Sequence, residues 1–304
     1  MEQVPCNLCG SADCDVVYPA TVPHVGQSKH YSCTNCGHGE HDRVVRCRGC
    51  GLHYVSPRPV GAELADLYAE VEDTVYQDEM DGRIRMFRRN VRNLNRHARK
   101  GRVLDLGCSI GVFLHLAKQD GWQIAGMEPS KWCVEAGRQR FGYGDEIRVG
   151  GYQDLASCGE TFDAVTMWDV LEHVDDPLAA LKSCGTALKP GGVLALSTVD
   201  IGSLYARLMG RRWPWLMKMH LYYFDRPSIR RYLDLAGFDV LEIRTYRHVV
   251  SLNYLRYKLR RIHSPAYHLL TFFQRILLFG RNLYVMVALG DFMEVYARKR
   301  AQGD

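Results

Sequence analysis

The sequence predicts an α/β protein: a doubly wound, mostly parallel sheet preceded by a small metal-binding module. Two observations carry this. Residues 101–250 alternate short apolar runs with helical patterns, as parallel strands joined by crossover helices do. Ahead of them, the pairs Cys6/Cys9, Cys33/Cys36 and Cys47/Cys50 crowd a stretch with few apolar runs. At 304 residues the chain holds one large domain plus such a module. A composition of 47% hydrophobic and 24% charged residues excludes a disordered chain.

Taken in order, residues 1–60 form the module. Cys6-Asn7-Leu8-Cys9 and Cys47-Arg48-Gly49-Cys50 are each followed by glycine, Gly10 and Gly51. Two such knuckles present four thiolates tetrahedrally to a structural zinc ion. The opening MEQVPCNLCG has neither the basic nor the apolar part of a secretory signal, so a reducing, cytoplasmic setting is expected. There, paired cysteines favour metal over disulfides. Cys33 and Cys36 leave alternatives open. They can replace the first pair as partners of Cys47 and Cys50, or hold a second metal with His30, His38 or His41. Cys14 reads as a bystander.

Residues 61–100 read as a helical linker. Within Arg83–Lys100, Ile84, Phe87, Val91, Leu94 and Ala98 recur at helical spacing, with arginines mostly on the other faces. Seven strands follow: Arg102–Leu106, Gln123–Met127, Ile147–Gly150, Phe162–Trp168, Val193–Thr198, Phe238–Thr245 and Phe292–Ala297. A helix is expected over Pro177–Leu188, then a turn at Lys189-Pro190-Gly191-Gly192. Residues 251–290 read as a basic amphipathic helical insert, and 291–304 as the last strand and tail.

The most informative stretch is Val103-Leu104-Asp105-Leu106-Gly107-Cys108-Ser109-Ile110-Gly111, a strand entering a small-residue turn before a helix. Glycines there let backbone approach a ligand and leave helix N–H groups facing it. Glu128 closes the next strand, placed to accept both hydroxyls of a ribose. A dinucleotide turn needs G-x-G-x-x-G, yet Ser109 holds the middle position and an acid, Asp105, precedes the turn. An acid suits an ammonium and not a pyrophosphate. The site therefore points away from NAD and towards S-adenosylmethionine.

Methyl transfer to oxygen needs a base, and two histidines are candidates. His173 lies just beyond the fourth strand, at the edge where such sheets bind ligands, and His220 lies in a loop after the fifth. His173 has a plainer reading, as the structural half of a helix-starting Glu-His pair that holds a loop, whereas His220 sits in a substrate-side loop, where function tends to collect.

The net charge of +5 is unevenly spread. Arg83–Arg102 holds no acid, and residues 244–300 hold only Asp291 and Glu294 among many Lys and Arg. Tyr205–Trp215 and the helices after Arg256 mix cations with aromatics. That suits a bilayer interface, hence peripheral contact with the inner membrane face, or a phosphate-bearing substrate; an ordinary cap over the cleft is the plainer alternative. No stretch offers the ~20 nearly uncharged residues of a membrane span.

In series, LDLGCSIG, GMEPS, FDAVTMWDVLEHVDDP, LKPGG, GSLYARLMGRRWPW, HLYYF and LAGF resemble the class I S-adenosylmethionine-dependent methyltransferases of bacterial sugar, glycan and natural-product pathways. The likeness runs through nearly the whole chain, including the leading cysteine pair and CRGCGLHYVSPRP. It implies a Rossmann-like methyltransferase fold with an N-terminal zinc ribbon and a C-terminal helical insertion before the last strand. It also implies that Gly107, Cys108 and Gly111 line the methionine end of the cofactor and that Glu128 holds its ribose. Tyr152, Trp168 and Asp169 would flank the adenine and the sulfonium, with Asp154 in the same wall. The outer cysteine pairs, Cys6, Cys9, Cys47 and Cys50, become the zinc ligands, because Tyr31 to His41 looks like an insertion. Ser109 departs from the pattern, since many relatives carry a third glycine there.

The expected activity is O-methylation of a small polar, glycan or lipid-linked metabolite. Sugar C-methylation stands as an alternative, as do rRNA or tRNA methylation and a non-enzymatic zinc-ribbon interaction protein. Against nucleic acid, the fourth strand ends in Trp168-Asp169-Val170-Leu171, with no Asn-Pro-Pro-Tyr motif for base amines and no Pro-Cys nucleophile. Against a non-enzymatic role stand the intact glycine turn and Glu128.

Overall fold

A C-x-x-C pair followed by glycine makes a tight knuckle because the glycine takes a backbone that other residues strain to adopt. The computed structural model describes residues 1–21, 39–61, 79–262, 264–276 and 282–301. In it Gly10 and Gly51 have φ of 73° and 81°. Gly10 N donates to Cys6 O at 2.8 Å, and Gly51 N to Cys47 O at 2.9 Å. The knuckles adjoin β1 (Cys14–Tyr18), β2 (Val44–Cys47) and β3 (His53–Val55), an antiparallel ribbon. Cys33, Cys36, His30 and His38 lie outside the described residues. His41 is buried, with Nδ1 2.7 Å from Asp42 O.

Helix α1 (Met80–His97) buries Phe87, Val91 and Leu94, while Ile84 and Ala98 are only partly covered. It also buries Asn90 and Asn93, which an apolar stripe does not foresee. Asn90 Nδ2 donates to the Tyr246 hydroxyl at 2.9 Å and Asn93 Nδ2 to Glu294 at 3.3 Å, while the buried Asn90 Oδ1 has no hydrogen-bond partner among the described residues.

There follow β4 (Arg102–Leu106), α2 (Val112–Gln119), β5 (Gln123–Glu128), α3 (Lys131–Phe141), β6 (Ile147–Val149) and β7 (Phe162–Trp168). Next come α4 (Pro177–Ala187), β8 (Leu188–Val199), α5 (Leu204–Met209), β9 (Tyr222–Tyr223), α6 (Arg226–Leu235) and β10 (Phe238–Thr245). The chain closes with β11 (His248–Ser251), α7 (Leu252–Ile262), α8 (Ser264–Ile276), β12 (Tyr284–Val287) and β13 (Phe292–Lys299). The main sheet has the order β10-β13-β8-β7-β4-β5-β6. The pairs β4/β5, β4/β7, β5/β6 and β7/β8 are parallel, whereas β13 runs antiparallel to both its neighbours. This is the seven-stranded, mostly parallel sheet that the sequence predicts.

Each central strand is apolar on both faces, as a sheet covered on both sides requires. Val103, Ala164 and Val193 pack into one core, and Leu104, Val165 and Leu194 into the other. Lys189-Pro190-Gly191-Gly192, expected as a turn before the fifth strand, lies inside β8. The register jumps from Phe162↔Leu188 to Ala164↔Val193, so the extra residues bulge out while the strand continues. The insert contains the expected helices and adds an antiparallel ladder, β11–β12.

The ribbon is not a tethered appendage. β3 pairs with β9 of the main domain, and Val55 N donates to Leu221 O at 2.8 Å. Within the first knuckle, Asn7 Nδ2 donates to Asp176 at 2.9 Å, and its carbonyl accepts from Leu178 N and the Tyr232 hydroxyl. Cys6, Leu8, Leu52 and Tyr54 belong to the same core as Leu104 and Leu196.

Candidate functional site

The site is built at the carboxyl ends of β4, β5 and β7, where the strand order reverses from the centre of the sheet. After β4, Gly107 (φ 72°) runs so close to the next wall that a Cβ would lie 2.6 Å from Val170 Cγ2. Ser109 adopts φ 51°, a left-handed backbone strained for a side-chain-bearing residue. Its N–H donates to Glu128 Oε2 at 2.8 Å, while Ser130 N–H donates to Oε1 at 2.9 Å. Glu128 thus clamps the glycine turn to the end of β5. Burial raises its pKa, and the two N–H groups oppose that. Asp105 accepts from Thr166 Oγ1 at 2.5 Å, and burial pushes it up to about 8 against that hydrogen bond.

A 3-10 turn over Tyr152–Ser157 builds the adjoining wall. Gly151 N donates to Asp154 Oδ2 at 2.8 Å, and the Tyr152 hydroxyl to Asp175 Oδ1 at 2.8 Å. At the end of β7, Asp169 has φ 56°, and its carboxylate accepts from the Ser197 hydroxyl. The buried Trp168 Nε1 has no hydrogen-bond partner among the described residues. Trp168 lies parallel to Tyr246, with ring centroids 6.4 Å apart.

One cavity of about 900 Å³ is lined by Asp105, Gly107, Cys108 and Glu128, by Tyr152 and Asp154, and by Trp168 and Asp169. His173 and His220 line it too. Gly111 does not; it caps α2 at φ 82°, where a Cβ would lie 2.7 Å from Tyr143 and from Ile147. Among the residues lining it, Glu172, His173 and His220 bring one donor atom each within 4.8 Å of one another. His173 Nδ1 lies 2.8 Å from Met219 O, so it carries a proton there. His220 hydrogen-bonds the Trp215 backbone, and its buried Nδ1 has no hydrogen-bond partner among the described residues. Burial lowers the pKa of both imidazoles, and the neighbouring His173 lowers that of His220 further. Both shifts favour the neutral imidazole. Burial, helped by Asp169, pushes Glu172 up to about 8.

The sequence reading missed three further residues that line the cavity: Tyr246, His248 and Asp291. Asp291 accepts from the Trp213 and Trp215 indoles at 3.2 and 2.8 Å. The available signal was a lone acid closing a long basic stretch that Trp-Pro-Trp precedes.

In the ribbon, the Sγ atoms of Cys6, Cys9, Cys47 and Cys50 all lie within 4.8 Å of one another, with Cys6–Cys50 at 3.4 Å and Cys9–Cys47 at 3.5 Å. Thiolates at ~2.3 Å from one zinc in a tetrahedron sit about 3.8 Å apart, so the four side chains fit that ion.

A methyltransferase domain family model matches residues 76–243. Ubiquinone biosynthesis O-methyltransferase of Cereibacter sphaeroides is 34% identical over 124 residues, covering 38% of this chain and 50% of that protein. The enzyme of the same name from Xanthomonas campestris pv. campestris is 38% identical over 103 residues, covering 33% and 43%. The chain thus spans about half the length of the curated relatives it matches. A SAM dependent methyltransferase from Archaeoglobus fulgidus shares the fold, with a TM-score of 0.51 at 18% identity, covering 75% of this chain and 100% of that one.

Proposed function

This chain belongs to the methyltransferase domain family, and from that premise we propose that it methylates a hydroxyl of a small polar, glycan or lipid-linked acceptor with S-adenosylmethionine. When bound, S-adenosylmethionine supplies a methyl group on a positively charged sulfur. The chain's own residues supply position and a proton acceptor. Glu128 keeps lone pairs beyond those used by Ser109 and Ser130, and these suit two ribose hydroxyls. Asp105 faces the amino-acid end, where an ammonium would hold it ionised. Gly107, Cys108 and Gly111 keep the turn close, while Tyr152 and Asp154 wall the adenine side. Trp168 and Asp169 flank the sulfonium, and an in-line approach from the histidine end completes the alignment. His220 takes the acceptor proton through Nδ1, with His173 beside it. Oxygen as the acceptor atom is supported by relatives named for O-methylation. Zinc on Cys6, Cys9, Cys47 and Cys50 would be structural, in a cytoplasmic setting that keeps thiols reduced.

The observation that carries this reading is the clamp of Glu128 on the Ser109 turn, in the same cavity that His173 and His220 line. Calorimetric titration with S-adenosylhomocysteine tests it. Micromolar binding is expected, weakened in Glu128→Ala by ~1–3 kcal/mol for the lost charge-assisted bonds. Folded, zinc-loaded protein that binds nothing would remove the cofactor reading.

The grouping of Glu172, His173 and His220 favours a second reading, in which a divalent cation holds the acceptor oxygen. Protein dialysed against a chelator, with its ribbon zinc verified as retained, separates the two. A tenfold or greater gain in rate on adding Mg²⁺ or Mn²⁺ would favour the metal; an unchanged rate would leave His220 as a simple base.

A further inference from the structure

Helix α8 is amphipathic in the wrong sense for a helix that merely caps a core. Leu269, Phe272, Phe273 and Ile276, at the spacing of one helix face, are 58%, 57%, 44% and 55% exposed. The side turned to α7 is polar. Gln274 is buried, donating to Asn253 at 3.0 Å and accepting from Arg256 at 3.1 Å, and Arg256 also donates to Thr271 at 3.1 Å. The apolar stripe is thus left outward by a polar seam that fixes which way the helix faces.

The segment that carries that stripe has charge of one sign. Between Thr245 and Asp291 the sequence has Arg247, Arg256, Lys258, Arg260, Arg261, Arg275 and Arg281, and no Asp or Glu. Arg260, His268 and Arg275 are exposed. Helix α5 repeats the pattern, with Leu204 and Leu208 73% and 78% exposed beside exposed Arg207, Arg211 and Arg212. Both regions are also walls of the cavity, α5 through Tyr205 and α7 through Tyr254, Leu255 and Leu259. Leu289, half exposed, lines it as well.

We propose that α8 and its basic surroundings form a docking surface for an anionic lipid bilayer, beside the cavity that takes the acceptor. An outward apolar stripe in a segment that carries cations and, between Thr245 and Asp291, no Asp or Glu is the chemistry of an interfacial helix. A basic protein surface alone would suit nucleic acid, but four large exposed apolar side chains on one face would gain nothing from phosphate. No helix among the described residues is long and apolar enough to cross a membrane, so the contact is peripheral. The consequence for the acceptor rests on the methyltransferase reading. An acceptor with an apolar anchor would pass from the bilayer to the cavity without leaving the surface. The docking itself does not depend on that reading.

The test is co-sedimentation of the full chain with phosphatidylglycerol–phosphatidylcholine vesicles and with phosphatidylcholine alone. Binding to the anionic vesicles is expected, falling at least tenfold in Phe272→Ser/Phe273→Ser and in high salt, with weak binding to the neutral ones. S-adenosylhomocysteine affinity, measured on the same samples, should be unchanged in the variant, which separates this result from the cofactor question. Should the serine variant not fold, Arg260→Glu/Arg275→Glu serves, with the same expected loss. No binding to anionic vesicles by folded protein overturns the proposal, as does equal binding to both vesicle types. A concentration-dependent dimer that the serine variant splits, without vesicle binding, also overturns it by making a second copy of the chain the occupant.

Discussion

Cys47→Ser is expected to abolish zinc binding at the proposed four-cysteine site, lower the melting temperature by on the order of 10 °C, and cut methyl transfer by more than tenfold. The first two effects follow from size. A module of this length has too little apolar surface to fold unaided, so metal binding supplies its folding free energy. Several kcal/mol lost from a domain of this class lowers the melting temperature by ~2–4 °C per kcal/mol. The third follows from topology. β3 pairs with β9 through His53↔Tyr223 and Tyr54↔Tyr222, and β9 begins two residues after His220. Arg58, just beyond β3, donates to the Tyr222 hydroxyl at 2.7 Å and to Asp175 O at 2.8 Å. The ribbon therefore holds both the loop that carries His220 and the segment that receives the Tyr152 hydroxyl. Zinc content, melting temperature and rate should fall together, with cofactor affinity reduced less, because Glu128 and the glycine turn touch no ribbon residue in the contacts described above. A zinc-free Cys47→Ser protein that melts and turns over like the parent would sink this coupling.

What was legible beforehand depended on whether a signal is local. Strand limits at Arg102–Leu106 and Phe162–Trp168 agree to the residue, because a strand buried on both faces is a continuous apolar run bounded by turns. The β8 start was misplaced, since Pro190-Gly191-Gly192 is a turn signal whether it ends a strand or bulges from one. Asn90 could not be assigned, because its partner Tyr246 lies 156 residues away and an amide on a helix reads as solvent-facing. His248 and Asp291 were missed for the same reason. They reach the cavity from β11 and from the turn before β13, elements whose placement depends on the antiparallel pairing of β13 with β8. Glu128 was legible because the strand–turn–helix–strand unit that aims it is contained in some thirty residues of chain. The clamp on Ser109 was not, since it answers a strained backbone that only the structure exposes.

His220→Gln is expected to lower kcat by ~10²–10⁴-fold, the usual contribution of a positioned base, with S-adenosylhomocysteine affinity unchanged. The buried Nδ1, with no hydrogen-bond partner among the described residues, makes His220 the better candidate of the pair, since it lines the cavity with a lone pair to offer. His173 is held by Met219 O through Nδ1 and acts on its neighbour, with ring centroids 4.9 Å apart. The pH profile discriminates further. Burial and the adjacent His173 both push the His220 imidazolium below the ordinary value of 6.5, so its basic form persists into mild acid. In kcat/KM the acid limb should therefore lie below 6.5, and activity should be level from there through neutrality. In His173→Gln one of the two depressing influences is gone, so the limb should move up towards 6.5 while the plateau rate changes less than in His220→Gln. An acid limb that stays in place in His173→Gln and disappears in Glu172→Gln would transfer the role to the carboxylate that burial has already pushed up to about 8.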